Sequence, residues 1–153
     1  MNGTIIQLDI ADYEKCGNIW DMQRQRELAE MCRKELVSGN RMTYVYVING
    51  MFVGEVSLVK DKNDPDYTIP GQRIYLSRLI VKDEFRRKGI GKRLIEYAVD
   101  IARSKGYPEI SVGVDSENYG ALKLYEDVGF DRILYIGEDE YGKFLKLLKA
   151  ITT

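Results

Sequence analysis

The sequence predicts an α/β domain, and three observations predict it. Hydrophobic periodicity switches between strand and helix along the chain, an Asn-Gly turn joins two β-rich runs, and a glycine turn links an apolar strand to an amphipathic helix. The expected order is β-α-α-β-β-β-α-β-α-β-β. No repeat, low-complexity tract or linker interrupts it, so residues 1–153 read as a single domain.

At 153 residues, 44% hydrophobic and 31% charged, the chain is long enough to bury one substantial core. Its formal net charge of -1 lacks the Lys and Arg excess that a nucleic-acid partner demands, so none is expected. Cys16 and Cys32 suggest no disulfide framework and, with no C-x-x-C pair, no zinc site. The absence of histidine excludes a histidine triad, a histidine metal site and the commonest general base. Catalysis would fall to carboxylates, Tyr, Lys, Cys, backbone groups or water. Residues 1–10 lack the features of a signal peptide, and no stretch approaches the roughly 20 apolar residues that span a bilayer. The expectation is a cytoplasmic protein with no membrane partner.

Taken in order, residues 4–10 partly alternate and read as a first strand. Tyr13, Cys16, Ile19 and Trp20 have helical spacing over about residues 12–23, with Asp12 as N-cap. A second helix through Leu28, Cys32 and Leu36 stops near Gly39-Asn40. Residues 43–48 and 51–59 form a hairpin about Asn49-Gly50, which suits a type I′ turn. Residues 60–72, with Pro65, Pro70 and Gly71, read as a long exposed connection. Residues 73–81 (RIYLSRLIV) are apolar enough for a central strand covered on both faces. The helix after it carries a stripe of Ile90, Leu94, Ala98 and Ile101, widened by Ile95 and Ala102, and closes at Lys105-Gly106. A strand at 109–114 follows, then a helix from Asn118 to Gly129. Two last strands, around 132–136 and 143–148, are joined across an acidic turn, Gly137-Glu138-Asp139-Glu140.

The chemistry concentrates where residue 81 gives way to the helix near Gly89. A helix start leaves amides unpaired and adds partial positive charge. Gly89 and Gly91 let a phosphate approach those amides without meeting a Cβ. Lys82, Arg86, Arg87, Lys88, Lys92 and Arg93 surround them, against only Asp83 and Glu84. A Walker P-loop fails because Gly91-Lys92 is followed by Arg93 and position 86 is not glycine. The Rossmann fingerprint fails because Lys92-Arg93-Leu94 follows Gly89-Ile90-Gly91. Read alone, the turn is equally a charged loop that merely starts a helix.

Arg86, Gly89 and Gly91 resemble the Arg/Gln-x-x-Gly-x-Gly/Ala signature of the GNAT superfamily of N-acetyltransferases, and residues 79–85 are similar to that family's strand and entry loop. A second block, residues 118–130 (NYGALKLYEDVGF), resembles the family's N-x-x-A-x-x-L-Y-x-x-x-G-F. The resemblance is sharp over about 73–130. It implies a GNAT-like fold with a mixed central sheet of about six to seven strands and about four helices. It also implies acetyl-CoA as acyl donor, and hence coenzyme A binding. The strand through Leu79, Ile80 and Val81 would pair with the pantetheine arm like an added strand. The amides of Arg87, Lys88, Gly89, Ile90, Gly91 and Lys92 would cradle the pyrophosphate, with Arg86 a structural or phosphate-side cation.

By spacing, Tyr125 is a core aromatic in line with Ala121 and Val128. By resemblance it is the general acid that protonates the departing thiolate, a step a phenol can serve. Asn118 is an N-cap, a cofactor-side hydrogen-bonding group, or both. Where the family often carries a Glu base, this chain has Tyr75; Tyr75, Glu55 and a water chain are the candidates for the base. Trp20, Asp64, Asp66, Tyr67 and the acidic run 138–140 are candidate contacts to a cationic acceptor. The expected reaction is direct attack of a primary amine on acetyl-CoA in a ternary complex, with no acyl-enzyme on Cys16 or Cys32. The acceptor is a small-molecule or peptide amine, with a small molecule favoured over a protein N-terminus. The alternative is a non-catalytic acyl-CoA-binding regulatory module. The terminal hairpin is a candidate for pairing between subunits in a homodimer.

Overall fold

A computed structural model describes residues 3–151. Among these residues seven strands occur: β1 Thr4–Gln7, β2 Arg41–Ile48, β3 Met51–Val59, β4 Arg73–Val81, β5 Glu109–Asp115, β6 Arg132–Asp139 and β7 Gly142–Ala150. Three α-helices accompany them, α1 Arg26–Ser38, α2 Ile90–Ser104 and α3 Tyr119–Asp127, with 3-10 helices at Ile10–Asn18 and Asp83–Phe85. The sheet order is β1-β2-β3-β4-β5-β7-β6. It is mixed: β4 and β5 run parallel, whereas β1–β2, β5–β7 and β6–β7 are antiparallel. No helix among the described residues is long and apolar enough to cross a membrane. The chain divides into two compact units, residues 3–58 with 78–98, and 59–77 with 99–151.

In the first unit, β1 pairs with β2 from Thr4↔Val47 to Gln7↔Tyr44. The β2–β3 turn is the expected one, with Asn49 at φ 50° and Gly50 at φ 77°, the left-handed pair that a type I′ turn needs. Burial runs along both strands rather than alternating, which marks strands covered on two faces. One core cluster gathers Leu8, Tyr13, Cys16, Ile19, Trp20, Cys32, Val45 and Phe52.

The structure differs from expectation at this end of the chain. The first strand stops at Gln7 because Asp9, extended at ψ 138°, accepts a hydrogen bond from the Ala11 amide and starts a helix there. That helix is 3-10 and ends at Asn18, so the α-helix expected to Gln23 does not form. Asp12 is not its cap and pairs instead with Lys15 at 3.1 Å. The early stop has a tertiary cause. The Asn18 side chain donates to the Phe52 carbonyl at 2.8 Å and accepts from Lys82 Nζ at 3.1 Å, which draws the chain out of the helical path.

In the second unit, β4 and β5 stay in register from Arg73↔Glu109 to Leu76↔Val112. β5 pairs with β7 over its whole length, from Glu109↔Ala150 to Asp115↔Phe144. Residues 60–72 are held down rather than merely exposed. Lys146 Nζ donates to Asp64 at 2.8 Å and Asp66 at 3.1 Å, and Ser111 Oγ donates to the Tyr67 carbonyl at 2.6 Å. The acidic turn also moves. Gly137, Glu138 and Asp139 belong to β6, where the ladder continues through Glu138↔Lys143 and Asp139↔Gly142, so only Glu140-Tyr141 turns. Opposite charges facing across the ladder favour the longer strand.

Gly54 fixes the approach of α2 to β3. A Cβ there would lie 3.2 Å from Leu94 Cδ1, 3.3 Å from the Ile80 carbonyl oxygen and 3.4 Å from Ile90 Cγ2. Gly54→Ala should therefore cost about 1–3 kcal/mol of stability, the usual range for overpacking. Urea unfolding measures it, and a loss below about 0.5 kcal/mol would show that the helix start yields easily.

Candidate active site

The turn before α2 is built by backbone conformation. Arg87 at φ 63° and Gly89 at φ 81° are both left-handed, and the space around a Cβ at Gly89 is open. The first bond closing the helix runs from the Arg93 amide to the Gly89 carbonyl at 3.1 Å. The amides of Ile90, Gly91 and Lys92 thus have no acceptor within the helix and face the approach to its N-terminus. Behind the turn, the Lys82 amide donates to the Val53 carbonyl at 2.9 Å, and Ile90 and Leu94 are buried.

The cations around the turn divide into two sets. Arg86 folds back, donating from Nε to the Val81 carbonyl at 3.0 Å and pairing with Asp83 at 2.8 Å. Lys82 reaches Asn18, and Arg93 donates to the Tyr46 hydroxyl at 2.9 Å. Arg87, Lys88 and Lys92 are exposed and form no ion pair among the described residues. A diphosphate fits this arrangement: open amides, a glycine where it would approach, and three solvent-facing cations. Leu79, Ile80 and Val81 lead into the turn half-buried.

The first unit also holds a buried polar cluster. Glu55 is 4% exposed and the Arg78 guanidinium lies 4.3 Å above the Trp20 ring. Trp20 Nε1, Glu55 Oε1 and Arg78 Nε are buried without a well-formed hydrogen bond, although the indole N–H faces Glu55 closely enough to favour its charged form. Burial pushes the Glu55 carboxyl up to about 6, against the opposing fields of Arg78 and Arg41. Arg78 takes φ 58° in the middle of β4. A larger cleft of about 1060 Å³ lies beside this cluster, lined by Tyr13, Trp20, Asp21, Arg26, Glu30 and Arg33 among others. Its charges are mixed in sign, and it gathers none of the sequence-predicted catalytic tyrosines.

In the second unit, Tyr125 sits on α3 at 6% exposure, edge-on to Phe130 with ring centroids 5.6 Å apart. Burial first, and then the field of Tyr75, raises its phenol well above the ordinary tyrosine value. The group therefore stays protonated at any working pH. Tyr75 stacks on Tyr67 at 4.5 Å, and the Lys62 ammonium lies 5.6 Å from its ring. Tyr67 and Tyr75 line a cleft of about 440 Å³ with Asp64, Asp115, Asp139, Tyr141, Lys143 and Lys146 among others. Asn118 accepts from the Ala121 amide at 3.1 Å, so it is the N-cap of α3.

Tyr75 and Tyr125, chosen from sequence for different reasons, thus come within electrostatic reach of each other. Glu55 belongs to the other unit, where it is buried beside Trp20 and Arg78. Asp64 and Asp66 are occupied by Lys146, whose ammonium also sits 4.9 Å from the Tyr67 and Tyr135 rings. Burial disfavours the Asp64 charge, but hydrogen bonds from Lys146 and nearby amides outweigh that and hold its pKa low. Sequence reasoning missed Asp115, Tyr141 and Lys146 on the cleft. A lysine between Leu145 and Leu147 reads as a solvent-facing strand residue, and nothing local distinguishes it from one bridging to residues 64 and 66.

The acetyltransferase (GNAT) family model matches residues 4–130. N-alpha-acetyltransferase 30 of Saccharomyces cerevisiae is 31% identical over 118 residues, 72% of this chain and 65% of that protein. N-acetyltransferase family 8 member 2 of Rattus norvegicus is 26% identical over 128 residues, 84% of this chain and 55% of that protein. In fold, the chain is similar to aminoglycoside 6'-acetyltransferase type Ii, with a TM-score of 0.77 at 19% identity over 98% of both chains. It is also similar to yncA of Salmonella typhimurium, solved with its cofactor acetyl-CoA, with a TM-score of 0.74 at 19% identity over 100% of this chain and 96% of that one. The chain belongs to the GNAT family of acetyltransferases. It spans about half the length of several curated relatives that it matches.

The raised Glu55 pKa makes stability depend on pH with a defined sign. Between its ordinary value of 4.5 and about 6 the folded state holds the proton more tightly than the unfolded chain does. The stabilisation is complete below 4.5 and is lost as pH rises through 6. Relative to Glu55→Gln, the native chain should lose about 2 kcal/mol between pH 4.5 and 7. Urea unfolding at a series of pH values reads this difference, and parallel curves would rule out the shift.

Proposed function

We propose that the chain is one catalytic domain that moves an acetyl group from acetyl-CoA to a primary amine by direct attack. The observation that carries this reading is the turn at Arg87–Lys92, where unpaired amides, an open Gly89 and three exposed cations suit a diphosphate. The acetyl-CoA held by yncA, similar in fold, supports the same donor. Arg87, Lys88 and Lys92 would meet the phosphates, while Arg86 braces the turn through Val81 and Asp83. Acetyl-CoA, when bound, supplies the activated thioester; the remaining work belongs to side chains.

The acceptor would enter the cleft of Tyr67, Tyr75 and Asp139 as a slender alkylammonium, on a small molecule or at a peptide end. Lys146 illustrates the chemistry, since two carboxylates and two tyrosine faces there already hold an ammonium. Asp115 and Asp139 each spend one oxygen on a local amide and keep the other for an incoming cation. Tyr75 Oη would take the ammonium proton while passing its own to water. The freed nitrogen attacks the acetyl carbon, the carbon–sulfur bond breaks as the sulfur takes the proton of Tyr125 Oη, and the proton shed by the acylated nitrogen returns to Tyr125 Oη. A cysteine intermediate is disfavoured, because burial holds the Cys16 and Cys32 thiols protonated.

Tyr125→Phe should lower kcat about 100-fold and leave KM for acetyl-CoA within about threefold. Free thiol released from acetyl-CoA measures both, using a panel of diamines, amino sugars and short peptides as acceptors. Equal losses in kcat and in acetyl-CoA binding would remove the acid role. Stabilisation by acetyl-CoA without turnover on any amine would favour a binding module, and no thermal stabilisation at all would sink the reading.

A further inference from the structure

Lys143 is exposed, as a lysine near a strand end usually is, but the Lys146 side chain is only 12% exposed. Its ammonium is enclosed by the 60–72 connection on one side and by β6 on the other. Asp64 and Asp66 accept from it at 2.8 and 3.1 Å, and the rings of Tyr67 and Tyr135 each lie 4.9 Å from it. Two carboxylates and two aromatic faces are a full set of partners for one alkylammonium. Lys146, Asp64 and Tyr67 line the same cleft as Tyr75, Asp115 and Asp139.

This enclosure is held by bonds that do not involve Lys146. Asp64 Oδ1 accepts from the Asp66 amide at 2.9 Å, and Arg73 donates to the Asp66 carbonyl at 3.0 Å. Ser111 Oγ fixes the Tyr67 carbonyl, and the Tyr67 ring stacks on Tyr75. The Tyr67 hydroxyl lies over Gly113, where any Cβ would collide with it. β6 supplies Tyr135 through a bulge: Ile133 faces Leu147 and Tyr135 faces Lys146, so Leu134 is an extra residue. Facing residues share a side of the sheet, and Gly113, Lys146 and Tyr135 therefore form one row across β5, β7 and β6.

We propose that Lys146 is a specificity-determining residue of the acceptor cleft: its ammonium fills the cation position beside the reacting amine, so the chain favours acceptors with one ammonium and turns away diamines. The inference rests on the acetyl-transfer reading for the nature of the acceptor. The reacting nitrogen would lie near Tyr75, with the Tyr67 ring between it and Lys146. A diamine that extends past Tyr67 brings its second ammonium against a like charge, and the carboxylates it needs are already taken. An alkyl tail without charge meets only the ring. Truncating Lys146 to alanine leaves both carboxylates and both rings in place, and the space it vacates has the shape of propylammonium.

Initial rates with butylamine and 1,4-diaminobutane read the preference. The native chain should favour butylamine in kcat/KM about tenfold, and Lys146→Ala should shift that ratio about 30-fold toward the diamine. Lys146→Arg, which keeps the cation, should keep the native preference. A native chain indifferent to the second ammonium would overturn the proposal. So would an equal loss on both amines in Lys146→Ala, the mark of a structural role alone. Thermal melts need no turnover: propylammonium and 1,4-diaminobutane should each stabilise Lys146→Ala more than the native chain, and 1-propanol should stabilise neither. If no amine is acetylated, the acetyl-transfer reading fails and the melts decide the cation position by themselves. Equal effects on the two chains would then overturn it. If Lys146→Ala does not fold, Lys146→Met, which keeps the stem and drops the charge, decides by the same rate ratio, and an unchanged ratio overturns the proposal.

Discussion

The close packing of the first turn of α2 on Gly54 is the constraint from which the geometry of the glycine turn follows. With no side chain at 54, Ile90 and Leu94 settle against β3, and the Ile80 carbonyl comes equally near. The Lys82 amide bonds to Val53, one residue away, and closes the same corner from the strand side. Held at both ends, the segment from Lys82 to Gly89 has little freedom in how it turns. The helix begins where its amides emerge at the surface beside Arg87 and Lys88. The phosphate contact proposed for these amides would depend on backbone placement, because an amide has no rotamer with which to correct a misplaced helix.

The same unit carries features that work against its stability. Arg78 holds a left-handed conformation inside a strand, a departure that commonly costs about 1–3 kcal/mol. Its guanidinium, the Glu55 carboxyl and the Trp20 indole contribute three buried polar atoms without well-formed partners. Stacking of Arg78 on Trp20 and attraction between Arg78 and Glu55 offset part of this. The surrounding core supplies the rest: Leu8, Cys16, Cys32, Val45 and Phe52 are all buried around Trp20. Truncating one partner would strand the others, so the cluster constrains the sequence as a group.

Much of the sheet was legible in the sequence because its signals are local. The Asn49-Gly50 turn, the apolar run of β4 and the Asn118 cap each need only a few neighbouring residues, and each appears where expected. The glycine turn was legible for the same reason, since φ at Gly89 and the helix start at Ile90 follow from adjacent residues. Features set by distant partners were not. Asn18 ends its helix through Phe52 and Lys82, and Asp64 is occupied through a lysine in another strand. Tyr75 could be named from its place in a motif, but its stacking on Tyr67 depends on how residues 60–72 fold back. Glu55, a candidate for the base, is buried beside Trp20 and Arg78, a setting that depends on residues distant in the chain.

The bulge at Leu134 shows how far one residue can separate pattern from structure. By strict alternation Ile133 and Tyr135 share one face and Leu134 and Ile136 share the other, so Ile133 and Ile136 would lie on opposite sides of β6. The extra residue carries Ile136 over to the side of Ile133 and sends Tyr135 toward Lys146, where ring and ammonium meet at 4.9 Å. One side of β6 becomes an aliphatic pair beside Leu145 and Leu147, and the other becomes a wall of the Lys146 ammonium site. Gly137 then shares the face of Tyr135, next to Phe144, whose ring lies 6.0 Å from that of Tyr135. A regular strand would have kept Tyr135 on the side of Ile133, and the bulge parts them.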